Sequence, residues 1–189
     1  MQPEIRVTET FSNLSAIAQA MRALTEKDVL VGIPEDESGR ESGGITNAHL
    51  GYIHEFGVPE KNIPPRAHLV PGIEDIQKEA AALLEDAAKK ALSGNAGAVE
   101  TNLKNIGLLG QKAVRARFVK NDWPELSDKT LDARKLVGTS TNKKGETRKK
   151  YGKSRRERGR VNPLIDTSQL RKAYTYVIRK KGNSALVVK

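Results

Sequence analysis

Two stretches of helical periodicity lie next to each other in the middle of the chain, and they limit the fold more than any other feature. The first predicts a helix over residues 71–93, because Pro71 suits a first helical turn and apolar residues follow at intervals of three and four. Gly94 ends this helix. The second stretch predicts a helix over residues 97–120, roughly 35 Å long at 1.5 Å per residue.

The elements on either side of these helices are shorter. Alternation and short apolar runs predict strands at Glu4 to Thr10, Asp28 to Ile33, Tyr174 to Arg179 and Ala185 to Val188. Further helices are predicted from Ser12 or Asn13 to Lys27, from Asn47 to Phe56, from Ser127 to Leu136 and from Thr167 to Lys172, with Thr46 and Asp166 as caps and Gly57 as a stop. In the second of these, Leu50, Ile53 and Phe56 form the predicted inner face. Residues 34–45 are predicted to be a loop and residues 58–66 an extended segment.

The order of these elements predicts an α+β fold. A small, mainly antiparallel sheet is expected to pack against two long helices and several shorter ones, plus a long basic loop. The length of 189 residues suits a single domain over residues 1–189.

The positive charge is concentrated in one segment. The chain has 33 basic and 23 acidic residues, a net charge of +10, and residues 143–160 contain ten basic and two acidic residues, a local +8. The other 171 residues therefore carry about +2. Residues 138–162 lack apolar periodicity, so we predict that they form a mobile loop or arm within the domain.

Three interpretations of this arm remain open: a solvated loop, a contact with nucleic-acid phosphates, or a contact with an acidic protein. Only Tyr151 lies among the cations, and no recognition-helix or zinc pattern accompanies them. Binding to DNA would therefore be independent of its sequence. The candidate residues for binding DNA or a partner are Lys143, Lys144, Arg148, Lys149, Lys150, Lys153, Arg155, Arg156, Arg158 and Arg160, with Arg115 and Arg117 as weaker candidates.

The chain offers no recognisable catalytic or metal-binding pattern. It has no cysteine, and His49 and His54 are five residues apart, which places them on different sides of a helix. Nucleophile-elbow and phosphate-loop motifs are absent from the sequence. No stretch approaches 18 consecutive apolar residues, and the first residues do not resemble a signal peptide. We expect no enzymatic activity, no cofactor, no metal and no membrane contact.

Three stretches in a fixed order resemble one known family. They are Gly51-Tyr-Ile-His-Glu-Phe-Gly57 with Asn62-Ile-Pro-Pro-Arg66 and Leu69-Val-Pro-Gly-Ile73, then Asn121-Asp-Trp-Pro-Glu-Leu-Ser127 with Thr130 and Arg134-Lys135, and then Pro163-Leu-Ile-Asp-Thr-Ser-Gln-Leu-Arg171 leading into Tyr174 to Ile178. Together they resemble the phage virion-morphogenesis, or tail-completion, family over about residues 28–180. Two positions differ: the family commonly has a glycine where Ser168 stands and an aromatic residue where His68 stands.

The resemblance implies a virion protein that forms a ring, expected to contain six copies, in the neck or upper tail of a tailed phage. Such a ring, assembled in the host cytoplasm, completes the tail and enables head–tail joining, and it contacts neighbouring neck, connector and tail-tube or terminator proteins. Phage DNA is a further expected partner if the arms face the channel. The candidate subunit-interface residues are Tyr52, His54, Phe56, Pro64, Pro65, Arg66, Trp123 and Leu170.

Two alternatives belong to other classes of protein. The first is a sequence-nonspecific nucleic-acid-binding protein with no role in a virion. The second is a hydrolase, which would depend on the scattered histidines and acids.

Overall fold

A computed structural model describes residues 14–40, 44–95, 97–165 and 168–182. The helices in these ranges are α1 (Leu14–Thr25), α2 (Asn47–Phe56), α3 (Leu69–Glu74), α4 (Gln77–Leu92), α5 (Gly97–Lys120), α6 (Asp128–Asp132) and α7 (Gln169–Ala173). The strands are β1 (Lys27–Gly32), β2 (Arg134–Thr141), β3 (Thr147–Ser154) and β4 (Thr175–Lys180). The strands form two separate antiparallel pairs, β1–β4 and β2–β3. The fold is therefore α+β, as predicted.

Helix α5 is the centre of the domain, because the β1–β4 sheet and α4 both pack on it. Near its N-terminus, Val99 and Leu103 form a buried cluster with Ala91 of α4, against which Val29 and Ile178 of the sheet pack. Near its C-terminus, a second buried cluster contains Val114, Phe118, Leu164, Leu170 and Tyr174. The sheet thus covers one side of α5 along most of its length.

Two glycines of α5 allow the sheet to approach closely. A Cβ atom on Gly107 would overlap the ring of Tyr176, and one on Gly110 would lie 2.7 Å from Cγ2 of Val31. The sheet could not keep its present distance from α5 if either residue had a side chain. These glycines therefore determine the packing of β1 and β4.

Several predicted boundaries are confirmed. The side chain of Thr46 caps α2, which ends at Gly57, and α5 has the predicted limits of residues 97 and 120. α1, β1 and β4 lie within about two residues of their predicted positions. The strands predicted at residues 4–10 and 185–188 and the cap Asp166 lie outside the described residues.

The prediction of one continuous helix over residues 71–93 is wrong. The first helix begins at Leu69, and a break at Asp75 and Ile76 separates it from α4. Ile76 has φ −104° and ψ 1°, outside the helical range, yet its side chain stays buried. The apolar spacing therefore continues across the break, and periodicity alone does not reveal it.

The predicted mobile loop contains regular structure. Ser127 caps α6 as expected, but this helix ends at Asp132 rather than near Leu136, and residues 134–154 then form the antiparallel hairpin β2–β3. Every residue of β2 is exposed, so the strand has no apolar face that a sequence pattern could detect. Residues 58–66 also differ from the predicted extended segment, since they contain a 3-10 turn at Pro59–Lys61. A second such turn occupies Glu35–Glu37 in the predicted loop.

We predict that Gly107→Ala destabilises the fold by about 1–3 kcal/mol, the usual range for overpacking a core. The added methyl group would force Tyr176 away from α5. Gly97→Ala, in the first turn of the same helix, is the control, because a Cβ atom there has an atom no nearer than 3.6 Å. Urea unfolding of both variants is the measurement, and equal stability of the two would contradict the proposed role of Gly107.

A second prediction concerns Ser168, which has φ 61° and ψ 7° in the left-handed region and makes no capping hydrogen bond. A residue with a Cβ atom is strained there by roughly 1–2 kcal/mol. We expect Ser168→Gly to be more stable than Ser168→Ala by up to about 1 kcal/mol, since glycine relieves this strain but adds backbone entropy to the unfolded chain. Thermal and urea unfolding of the two variants test the expectation, which fails if alanine is equal or better.

Candidate interaction surfaces

Helix α2 presents an aromatic pair to solvent. Tyr52 and Phe56 lie four residues apart on its outer face, with ring centroids 4.7 Å apart, and their side chains are 65% and 60% exposed. Val70 at the start of α3 is also half exposed. These three residues border a cavity of about 210 Å³ whose lining includes Gly32, Ile33, Leu69 and Tyr174. We call this region the aromatic surface.

The inner face of α2 differs in part from the predicted one: Leu50 packs against the core and Ile53 is partly buried, as expected. Asn47, Gly51 and Glu55 are buried, whereas Phe56, which was predicted to point inward, is exposed. Gly51 is needed because a Cβ atom there would lie 2.7 Å from the hydroxyl of Tyr174. Gly57 has φ 74°, and a Cβ atom on it would lie 2.8 Å from the carbonyl oxygen of Ile63. Both glycines of this stretch therefore have a structural role.

The buried carboxylate of Glu55 connects α2 to α3. Its Oε2 accepts hydrogen bonds from the backbone N–H groups of His68 at 2.8 Å and Leu69 at 2.9 Å, and its Oε1 accepts one from Val70 at 2.9 Å. These amides belong to the first turn of α3, where backbone donors lack partners within the helix. A carboxylate also suits the positive end of a helix. Glu55 therefore serves as a cap supplied by a neighbouring helix.

His68 is completely buried among aromatic rings. Its centroid lies 4.6 Å from that of Phe118 and 5.1 Å from that of Tyr174, both in edge-on contacts. Its Nδ1 lies 2.9 Å from the carbonyl oxygen of Arg66, and its Nε2 lies 2.6 Å from the hydroxyl of Tyr174. Because a carbonyl oxygen can only accept, Nδ1 carries the proton and Nε2 accepts from the phenol. His68 thus packs as an aromatic residue in the interior.

Burial also affects the protonation of this region. It lowers the pKa of His68, although the hydrogen bond to Arg66 and the charge of Glu55 oppose this effect. The pKa of His54, on the same helix as Glu55, is lowered to about 4 by burial and, to a smaller extent, by the positive charges of Arg66, His68 and Arg40. Burial, followed by the charge of Glu55, raises the pKa of Tyr174.

The three stretches that carry the family resemblance meet in one core. Trp123 of the second stretch donates a hydrogen bond from Nε1 to the carbonyl oxygen of Ala67, and Arg66 reaches the carbonyl oxygen of Pro124 at 3.4 Å. Leu170 and Tyr174 of the third stretch belong to the buried cluster around Phe118, and Trp123 packs against that cluster. The stretches are far apart in the sequence but adjacent in the fold.

The predicted interface residues divide by burial. Tyr52, Phe56 and Pro65 are exposed, whereas His54, Pro64 and Trp123 are partly buried. Arg66 and Leu170 are 5% exposed and cannot offer their side chains to another subunit in this conformation. Their assignment as interface residues is therefore corrected: Arg66 fastens two loops together, and Leu170 is part of the core.

The predicted basic residues also divide into two groups. Those at the base of the hairpin have structural contacts: Arg156 forms ion pairs with Asp128 and Asp132 at 2.6 and 2.7 Å, and Arg155 donates to the carbonyl oxygen of Asn162 at 2.8 Å. Nε of Arg158 donates to the carbonyl oxygen of Ser154. Arg160 is exposed just beyond the hairpin.

The second group lies near the turn of the hairpin, and we call it the hairpin tip. Its five cations are exposed and have no ion pair among the described residues: Lys143, Lys144, Arg148, Lys149 and Lys150.

The weaker basic candidates on α5 are likewise occupied. Arg115 donates hydrogen bonds to the carbonyl oxygens of Lys172 and Tyr174, and Arg117 pairs with Asp75 at 2.8 Å. Lys153 is exposed near the base of the hairpin. The cations available for an outside partner therefore lie mainly at the hairpin tip.

The base of the hairpin exposes apolar side chains that the sequence analysis did not identify. Leu136, Val137 and Tyr151 are each at least half exposed, and Leu136 lies opposite Tyr151 in the ladder. The ladder is irregular here, with register shifts between Arg134 and Gly138. A two-stranded hairpin is marginally stable in water without a further layer. These side chains form an uncovered apolar surface separate from the aromatic one.

No family model matches this chain, and neither a curated protein nor a solved structure shows significant similarity to it. In the described part of the chain, His, Cys, Asp and Glu residues do not form any group of three or more that could hold a metal. None of the described helices combines the length and the apolar character needed to cross a membrane.

We predict that acid destabilises the protein through His54 and His68. Both have lowered pKa values in the folded state, so below their ordinary pKa of about 6.5 the unfolded chain binds more protons than the folded chain. The stability they contribute is complete above about pH 6.5 and decreases as the pH falls toward 4. The limiting slope is about 1.4 kcal/mol per pH unit for each histidine. Urea unfolding at intervals from pH 7 to pH 4.5 measures it.

The variant His68→Phe keeps an aromatic ring in the core but removes one titrating group, so the decrease in its stability between pH 6.5 and 5 should be less steep. His49→Gln, which changes an exposed histidine of α2, is the matched control. An unchanged slope in His68→Phe would show that His68 is not the buried neutral base described here.

Proposed function

We propose that this chain is a structural virion protein of a tailed bacteriophage. In this proposal it forms a ring, expected to contain six copies, at the head–tail junction, where it completes the tail and enables head–tail joining. The observation that carries the proposal is the meeting of the three family-like stretches in one core around Phe118 and Tyr174. A chance resemblance between separate short stretches would not require them to be neighbours in the fold.

The two uncovered surfaces also support assembly. The aromatic surface on α2 and the apolar base of the hairpin each group three exposed apolar side chains. Contiguous apolar patches of this kind are typical of protein–protein contacts, whereas single exposed apolar residues are not. The segment between α2 and α3 contains three prolines and is fastened by Arg66 and Trp123. A preorganised surface loses less entropy on association.

The hairpin offers a way to hold DNA in a ring. Residues 134–154 contain eight basic residues and one acidic residue, a net charge of +7, so six copies would contribute about +42. If the hairpins faced the channel, this charge would attract phosphates without reading bases. Side chains alternate between the two faces of a strand, so Arg148 and Lys150 lie on one face and Lys149 on the other.

The second candidate function is sequence-nonspecific binding of nucleic acid by the monomer. The exposed cations of the hairpin tip favour it, since they are available without assembly. The hydrolase alternative has less support, because the polar groups of Glu55, His68 and Tyr174 are engaged with one another and with the backbone in the interior.

The first test is the mass of the assembly, by light scattering and negative-stain microscopy over a range of concentrations. We expect rings, at least at high concentration or on tails. Deleting the gene from a phage that carries it should leave filled heads and unjoined tails, with recovery when the gene is supplied. A strict monomer, together with infectious particles from the deletion, would overturn the proposal.

The second test separates the two candidates by their binding to a short DNA duplex at several salt concentrations. Nonspecific binding by a monomer should be tight, with the logarithm of the binding constant falling by about 0.9 per phosphate contact for each decade of salt. If the protein functions as a ring, its monomer should bind the duplex only weakly. Neutralising the five cations of the hairpin tip to Gln should remove binding in either case. The matched control neutralises five exposed lysines of the body: Lys61, Lys78, Lys112, Lys129 and Lys181.

A further inference from the structure

The base of the hairpin requires a cover that its own subunit does not supply. Leu136, Val137 and Tyr151 are 52%, 56% and 50% exposed, and both faces of β2 are open along its length. An isolated pair of strands is marginally stable, and burial of these three side chains would stabilise it. The hairpin is therefore expected to be most stable when its base lies against another surface.

The aromatic surface has the shape and size to receive such side chains. Tyr52, Phe56 and Val70 form a rim around the cavity, which is largely apolar. Its volume of about 210 Å³ is below the roughly 300–1,000 Å³ of most small-molecule sites. The cavity therefore suits an inserted protein side chain better than a metabolite.

The charges next to the two surfaces are complementary. Gly32 and Ile33 line the cavity, and the chain continues from them through Pro34 into the 3-10 turn Glu35–Glu37, whose three residues are all acidic. The exposed carboxylates of Glu35 and Asp36 have no ion pair among the described residues. On the hairpin, the exposed cations Lys135 and Lys153 flank Leu136 and Tyr151.

We propose that the base of the hairpin of one subunit docks on the aromatic surface of the next subunit, with Lys135 and Lys153 facing the acidic turn. The occupant is thus a second copy of this chain. The contact joins two different patches, and contacts of this kind form closed rings when the rotation between subunits closes. This inference rests on the proposed ring and identifies the contact that builds it.

The docking leaves the tip of the hairpin free. The cations nearest the turn, from Lys143 to Lys150, lie beyond the apolar base and are separated from it along the strands. At about 3.4 Å per residue, the strands place the turn roughly 20 Å beyond Leu136. One hairpin can therefore bind a neighbouring subunit at its base and hold DNA or another protein at its tip.

The absence of cysteine from the chain makes the contact accessible to site-specific cross-linking. Ala48→Cys places a thiol at the edge of the cavity, and Thr139→Cys places one beside the base of the hairpin; both positions are exposed. The two single variants are mixed at a concentration where the protein assembles and treated with a short bismaleimide. We expect a mixed dimer at least about tenfold more abundant than in a mixture of Thr139→Cys with Ala82→Cys, an exposed position on α4.

The outcomes separate this inference from the function on which it depends. If rings form but the Ala48–Thr139 product does not exceed the control, the docking is wrong and the ring proposal stands. A dominant product between two Thr139→Cys chains would show that hairpins pair with each other, which also overturns the docking. If the protein remains monomeric at every concentration, both proposals fail.

A double-mutant cycle on the assembling protein tests the contact independently. Phe56→Ala and Tyr151→Ala should each weaken association more than about tenfold, and the double variant should lose less than the product of the two effects, because the residues share one contact. Leu92→Ala, which changes an exposed apolar residue at the end of α4, should change association less than about threefold. Multiplicative effects of the first two substitutions would overturn the direct contact. Circular dichroism of each variant checks that the fold is retained.

Discussion

The buried carboxylate of Glu55 joins α2 to the start of α3, and the surface that the chain offers to other molecules depends on this junction. Three backbone amides donate to it, and hydrogen bonds to a charged group contribute about 1.5–3 kcal/mol each. With Glu55 held inside, Phe56 lies about 100° around the helix axis from it, and both Phe56 and Tyr52 are exposed. The same junction orients His68 toward Tyr174. One buried charge thus anchors the helix that carries the exposed aromatic pair and lies beside the interior contact of His68.

Much of this arrangement could be predicted, but the orientation of α2 could not. Thr46 and Gly57 determine its ends through local capping chemistry, which is visible in the sequence. Its inner face was assigned from apolar residues. Leu50 does pack against the core, but Phe56 is exposed, and the most buried residues of the helix are Asn47, Gly51 and Glu55. A buried carboxylate is stable only with its donors, and those come from a segment thirteen to fifteen residues later. Apolar periodicity contains no information about such partners.

The hairpin shows a different limit. Its strands lie outside the core, so their side chains have no buried face and no period of two in hydrophobicity. The sequence shows that the cations are concentrated in one segment. It does not show which of them form ion pairs and which remain exposed. Arg156 is neutralised by two carboxylates of α6, which precede it by more than twenty residues, whereas the cations near Gly145 remain exposed. Charge in a sequence becomes a binding surface only where the fold leaves it unpaired.

Both positions at which the chain differs from the family it resembles fit the backbone that the structure describes. His68 takes the place of an aromatic ring between Phe118 and Tyr174. Its two nitrogens form hydrogen bonds with the carbonyl oxygen of Arg66 and the hydroxyl of Tyr174, which a phenyl ring could not form. Ser168 keeps the left-handed conformation that glycine adopts without strain.

The aromatic surface and the base of the hairpin differ in how firmly the fold holds them outward. Helix α2 cannot turn its aromatic pair inward without taking the buried carboxylate of Glu55 from its donors. The hairpin base is held more weakly, because the ion pairs of Arg156 are about half exposed and contribute about 1 kcal/mol or less. Leaving the buried carboxylate of Glu55 without its donors costs several kcal/mol, more than covering one or two partly exposed side chains would return. Association with another molecule can cover them with both sets of internal contacts kept. The fold therefore favours assembly over internal rearrangement as the way to bury these residues.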